Sequence, residues 1–93
     1  MIPRDAEAYL QLGRSCRLQG RFPEAETALR QALEHDPQNG GVRFELGALY
    51  QDQNRLIEAA AEFERAIAID PHMAGAHGQL GRLCRRLGRL PEA

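Results

Sequence analysis

Gly20-Arg21-Phe22-Pro23-Glu24-Ala25 returns near the other end of the chain as Gly88-Arg89-Leu90-Pro91-Glu92-Ala93, 68 residues on. Half that distance is the period. Leu12-Gly13, Leu46-Gly47 and Leu80-Gly81 stand 34 residues apart, as do Ala25, Ala59 and Ala93, Ala32 and Ala66, and Asp36-Pro37 and Asp70-Pro71. At this offset residues 6–39 and 40–73 share nine identities in 34, and residues 6–25 and 74–93 share thirteen in 20. Chance does not produce such agreement, and a fixed period of roughly 20–50 residues marks a repeat architecture. The 93 residues are therefore read as a single domain, 1–93, with units at 6–39 and 40–73 and a partial unit at 74–93.

Each unit reads as two helices. Asp5 is a fitting N-cap, and Tyr9, Leu12 and Cys16 recur at helical spacing after it. Gly20 can take the left-handed conformation that ends the helix, and Asn54 and Gly88 hold the equivalent positions. Pro23 belongs in the first turn of a second helix, where its missing N–H costs nothing. Ala25, Ala28, Leu29, Ala32 and Leu33 form that helix's apolar stripe, and Glu26 and Arg30 make a favourable i,i+4 pair on its wet face. Pro37 and Pro71 stop the second helices. Gly13, Ala25 and Ala32 mark places where helices must approach closely. The spacing predicts five helices, near 5–19, 23–35, 40–53, 57–69 and 74–87, and no strand.

A 34-residue helix–turn–helix unit with these residues resembles the tetratricopeptide repeat, whose pattern runs W-x2-L-G-x2-Y, then A-x3-F, then P. The second unit matches with Leu46-Gly47, Tyr50, Ala59, Phe63 and Pro71. The first matches with Leu12-Gly13, Ala25 and Pro37 but carries Cys16 for the tyrosine and Leu29 for the phenylalanine. The tryptophan slot departs throughout, holding Tyr9, Arg43 and His77. The resemblance covers residues 6 to 93 and implies an all-α fold, a right-handed α-solenoid of helix–turn–helix repeats.

Composition excludes several classes. Net charge −1 gives no bulk attraction to nucleic acid or to an anionic membrane surface. With 43% hydrophobic residues and balanced charge, the chain is too apolar to be disordered. No stretch approaches the ~20 consecutive apolar residues of a membrane span. Arg4, Asp5, Glu7, Arg14 and Arg17 interrupt any apolar leader in the first thirty residues. The expected setting is a reducing compartment, the cytoplasm. All twelve basic residues are arginine. That can reflect the arginine codons of a genome rich in G and C, or a use for bidentate carboxylate recognition.

No reaction chemistry is motivated. Cys16 and Cys84 fill one slot two units apart, and repeats advance by ~10 Å each. Their α-carbons then lie beyond the ~7 Å reach of a disulfide, and both are expected unbonded in the core. His35, His72, His77 and the cysteines lack metal-ligand spacing, so no metal or cofactor is expected. Gly75, Gly78 and Gly81 fall on one side of a helix rather than in a phosphate loop. No catalytic residue is assigned, and the chain is read as a non-enzyme.

What remains is surface. The resemblance implies that the first helix of each unit lines a concave groove holding a peptide or a partner's helix. Its positions here would be Glu7, Leu10, Gln11, Arg14, Arg17 and Leu18, then Gly41, Phe44, Glu45, Ala48, Gln51 and Asp52, then Gly75, Gly78, Gln79, Arg82, Arg85 and Arg86. The candidate binding residues are Gln11, Arg14, Arg17, Phe44, Glu45, Gln51, Gln79, Arg82, Arg85 and Arg86, with Arg17 expected to be solvated. Second helices carry Glu24, Glu26, Glu34, Glu58, Glu62 and Glu64 on the outer face. The clamp by which some relatives grip chaperone C-terminal tails maps onto Leu10, Arg14, Glu45, Gly75 and Gln79, none of which matches it. The expected partner is a protein or peptide segment, acidic or mixed polar, and not a chaperone tail, nucleic acid or membrane. An architectural unit without a groove ligand, or the interaction region of a larger enzyme, are the alternatives.

The sequence stops just as a second helix opens at 88–93, as expected of a fragment of a longer array. The stripe Leu80, Leu83, Cys84 and Leu87 is then expected to lie open. Residues 74–93 carry net +3 against −4 for residues 1–73, so self-association through the C-terminal helix is expected.

Overall fold

In the computed structural model, which describes residues 5–88, five helices follow one another. They are α1 (Ala6–Leu18), α2 (Phe22–His35), α3 (Gly40–Asp52), α4 (Leu56–Ile69) and α5 (Ala74–Arg86). No strand occurs among the described residues. Every boundary falls within one residue of expectation: α1, α3 and α5 differ only at capping residues, which are half inside a helix, and α2 and α4 begin one residue earlier. Residues 89–93, where the sequence opens a further helix, lie outside the described residues.

Local chemistry sets the ends. The Asp5 carboxylate accepts from the Ala8 N–H at 2.8 Å, and the Asn39 side chain caps α3 by accepting from Val42 N–H at 3.2 Å. Pro23 stands in the first turn of α2. Gly20, Asn54 and Gly88 have φ of +79°, +60° and +72°, one left-handed residue at the same place in each unit. That turn lets the N–H groups of Arg21 and Arg55 reach back five residues to the carbonyls of Cys16 and Tyr50, both at 2.8 Å, satisfying the helix ends.

Helices α1 and α2 form one hairpin and α3 and α4 a second, with α2 against α3 and α5 against α4. Glycine makes each hairpin close. A Cβ at Gly13 would meet the Leu29 side chain at 2.6 Å, and one at Gly47 would meet the Phe63 ring at 2.8 Å. Leu29 and Phe63 hold the same repeat position, so one knob fills one hole in both units. Ala25, Ala32, Ala59, Ala66 and Ala76 are fully buried where backbones run near one another. Leu29, Val42, Leu46, Leu49, Phe63 and Leu83 complete the core. The chain extends over 44 × 25 × 17 Å, the elongated form of stacked units. Helical hairpins stacked in this way are an all-α solenoid.

Two expectations about apolar surface are corrected. Leu83 is fully buried and Cys84 nearly so, while Leu80 and Leu87 are half-buried, so the α5 stripe is not open. Leu83 turns inward onto the core that α4 shares. Leu12, expected in the stripe of α1, is instead 44% exposed, although its equivalent Leu46 is 1% exposed. Leu46 sits on a helix that a preceding unit covers, and among the described residues no helix covers α1 in that way. Cys16 and Cys84 are buried and unbonded.

Candidate functional site

Helices α1, α3 and α5 each begin a unit, and their N-terminal halves meet around a groove of about 350 Å³. Leu10, Gln11 and Arg14 come from α1, and Gly41, Phe44 and Glu45 from α3. Met73 and Gly75 close it from the start of α5. Phe44 is held from behind by Phe63, ring centroids 5.4 Å apart in an edge-to-face arrangement. The glycines keep the pocket open. A Cβ at Gly75 would stand 3.3 Å from the Phe44 ring, and one at Gly41 would stand 3.5 Å from Leu10 Cδ2. The floor is thus the apolar surface of Leu10, Phe44 and Met73, with polar groups at its edge.

Of the ten candidate residues, Gln11, Arg14, Phe44 and Glu45 gather at this pocket. Gln51 and Gln79 are half-buried outside its lining, while Arg82, Arg85 and Arg86 are exposed along α5. Met73 was not anticipated, because it precedes the helix and falls outside the face that helical periodicity selects.

Arg17 requires correction. It is not solvated: its side chain is 17% exposed, with Nε 3.1 Å from Glu45 Oε2 and Nη1 3.0 Å from Asp52 Oδ2. Burial alone would lower its pKa, but the bonds to Asp52 and Glu45 outweigh that and raise it. Arg14 stands 3.8 Å from the other Glu45 oxygen. Two arginines thus neutralise two carboxylates across the α1–α3 boundary, and the 7%-exposed Glu45 is no unpaired charge in the groove.

The outer face is likewise less uniform than expected. Glu62 is buried, accepting from Arg43 at 3.1 Å and from Arg65 at 2.8 Å. Glu26 is half-buried beside Arg30 and accepts the Tyr50 hydroxyl proton at 3.2 Å, while Arg30 donates to the same hydroxyl at 2.9 Å. The bond from Arg30 holds Glu26 below the usual carboxylate range, against the opposing effect of burial. Burial pushes the Tyr50 phenol up. Arg55 covers the face of that ring, its guanidinium carbon 4.5 Å from the centroid.

The three residues in the tryptophan slot find local partners of different kinds. Tyr9 stacks on His35 with centroids 5.3 Å apart, Arg43 pairs with Glu62, and His77 donates from Nε2 to the Pro71 carbonyl at 2.8 Å. Each ties a first helix to a second one or to the turn before it. Among the described residues no three metal-ligating side chains converge. No helix there is long and apolar enough to cross a membrane.

Two models of the tetratricopeptide repeat match the chain, over residues 6–39 and over residues 50–93. The first spans the α1–α2 hairpin, and the second runs from the end of α3 through α4 and α5. A comparison with curated proteins finds no match. Repeats of this kind are generally protein–protein interaction modules rather than catalysts. The period, the glycine-mediated hairpins and these matches agree, and the chain belongs to the tetratricopeptide repeat family.

Proposed function

We propose that the concave face of α1, α3 and α5 binds a segment of a partner protein, acidic or mixed polar in character, without catalysing a reaction. The carrying observation is the groove itself: residues from three successive first helices converge on one open pocket. Electrostatics supports the sign. Glu45 and Asp52 are occupied by Arg17, Arg14 is 56% exposed, and Arg82, Arg85 and Arg86 face solvent on α5. An acidic segment is therefore attracted and a basic one is not. The proposed setting is cytoplasmic.

A second reading has its own support. The Arg17 pairs join the first two units, so part of the concave face serves cohesion between repeats rather than a ligand. Fluorescence anisotropy of labelled acidic and basic peptides, at low and high salt, separates the two readings. Acidic peptides should bind, should weaken as salt rises, and should be released by charge reversal of Arg14 and Arg82 together. Binding that ignores both salt and charge reversal would leave only the architectural role.

A further inference from the structure

We infer that the pocket between Gly41 and Gly75 takes one large apolar side chain of the bound segment, and that the segment carries a carboxylate three to five residues from this anchor. The inference rests on the groove reading above and specifies its ligand. Its first ground is the chemistry of the floor. Leu10, Phe44 and Met73 offer no hydrogen-bonding partner except Met sulfur, a weak acceptor, and Gly75 leaves the Phe44 ring uncovered while Gly41 does the same for Leu10. Edge contact with Phe63 fixes that ring, so the surface is shaped before a ligand arrives. Glu45 at its edge is neutralised by Arg14 and Arg17, so an apolar group entering there strips water from no unpaired charge.

The second ground is charge complementarity along α5. That helix holds Arg82, Arg85 and Arg86 and no acidic residue, and all three arginines are exposed. None makes an ion pair among the described residues. Arg82 and Arg86 lie seven and eleven residues beyond Gly75, on the same face of the helix. At ~1.5 Å per residue they stand about 10 and 16 Å along the axis from the pocket. An extended chain advances ~3.3 Å per residue, so about three to five of its residues cover that distance. An apolar anchor beside Phe44 and a carboxylate over Arg82 or Arg86 then engage together.

A library of random peptides displayed on phage and selected on the immobilised chain tests this, followed by titration of the enriched peptides. Two variants accompany it: Gly75→Leu, which fills the pocket from one wall, against the half-buried Phe44 ring, and Arg82→Glu/Arg86→Glu. Circular dichroism establishes that each remains helical. Enriched peptides should share Leu, Ile, Met or Phe with Asp or Glu three to five residues away, in either chain direction. Gly75→Leu should bind them about tenfold more weakly or worse, as when one large apolar side chain is lost, and the double charge reversal should weaken binding severalfold. Loss with the arginine variant but full affinity for Gly75→Leu would overturn the anchor and leave the groove reading standing. No enrichment, or peptides indifferent to both variants, would overturn both.

Discussion

Arg17 donates from Nε to Glu45 Oε2 at 3.1 Å, a bond that crosses from the first repeat to the second. The same guanidinium donates from Nη1 to Asp52 at 3.0 Å, so one side chain spans α3 from its middle to its last residue. Positional equivalents show that the clasp is not repeated. One unit later Arg17 becomes Gln51, Glu45 becomes Gln79 and Asp52 becomes Arg86, and no such set of charges remains.

Arg17→Ala should therefore destabilise the fold by about 1–3 kcal/mol, because it leaves the nearly buried Glu45 with only the longer contact to Arg14. Arg82→Ala, on an exposed stretch of α5, should stay within about 0.5 kcal/mol. Urea unfolding of the two variants measures the difference. Equal midpoints would show that the clasp contributes nothing.

Glycine substitutions should change sign with position. At Gly47 the Phe63 ring is fully buried and cannot retreat from a Cβ 2.8 Å away, so Gly47→Ala should cost roughly 1–3 kcal/mol, and Gly47→Leu more. At Gly78, on the open side of α5, a Cβ would meet nothing within 4 Å. Gly78→Ala should stabilise by about 0.5–1 kcal/mol through helix propensity alone. Thermal melts of both variants suffice, and a shift in the same direction for both would contradict the packing described.

The left-handed turns give a third pair. Gly20→Ala should lose about 1–2 kcal/mol, since φ of +79° crowds a Cβ against its own backbone while no outside contact compensates. Asn54 at +60° is the tolerated exception, and Asn54→Gly should leave stability unchanged within about 0.5 kcal/mol. Denaturant midpoints would reveal the asymmetry.

Acid should selectively remove the contribution of Glu26. Its pKa is lowered in the folded state, so its stabilisation is present above the ordinary carboxylate pKa and fades as pH falls through the folded value. Glu26→Gln should lower stability at pH 7 by up to about 1 kcal/mol. The gap to the parent chain should close progressively below about pH 4. Melts across that range check the sign, and a gap that widens in acid would reverse the assignment.

The period made the helices legible to within one residue, because Leu-Gly, Ala and Asp-Pro recur at contacts that every hairpin must make. Gly13 and Gly47 could be read as close approaches because each is matched by a large residue in the same second-helix slot. Charged residues were less legible. Glu45 and Glu62 sit on faces that helical periodicity assigns to solvent, yet both are buried. Each is paired with an arginine of a neighbouring helix, Arg17 for Glu45 and Arg43 for Glu62, and periodicity within one helix carries no information about that neighbour. Comparing Arg17 with Glu45 and Asp52, offset by one unit, would have revealed the clasp. Leu12 failed for the related reason that burial in a solenoid belongs to a pair of units, not to one.

Gly75, Gly78 and Gly81 give α5 three residues that each disfavour helix by about 1 kcal/mol relative to alanine. Among the described elements it packs chiefly on α4. Its amide protons should consequently exchange with deuterium sooner than those of the α1–α2 and α3–α4 hairpins, the helix fraying while the remainder holds. A segment lying across α3 and α5 would slow that exchange. The wall of the groove that carries the free arginines is thus also the one whose order an occupant would complete.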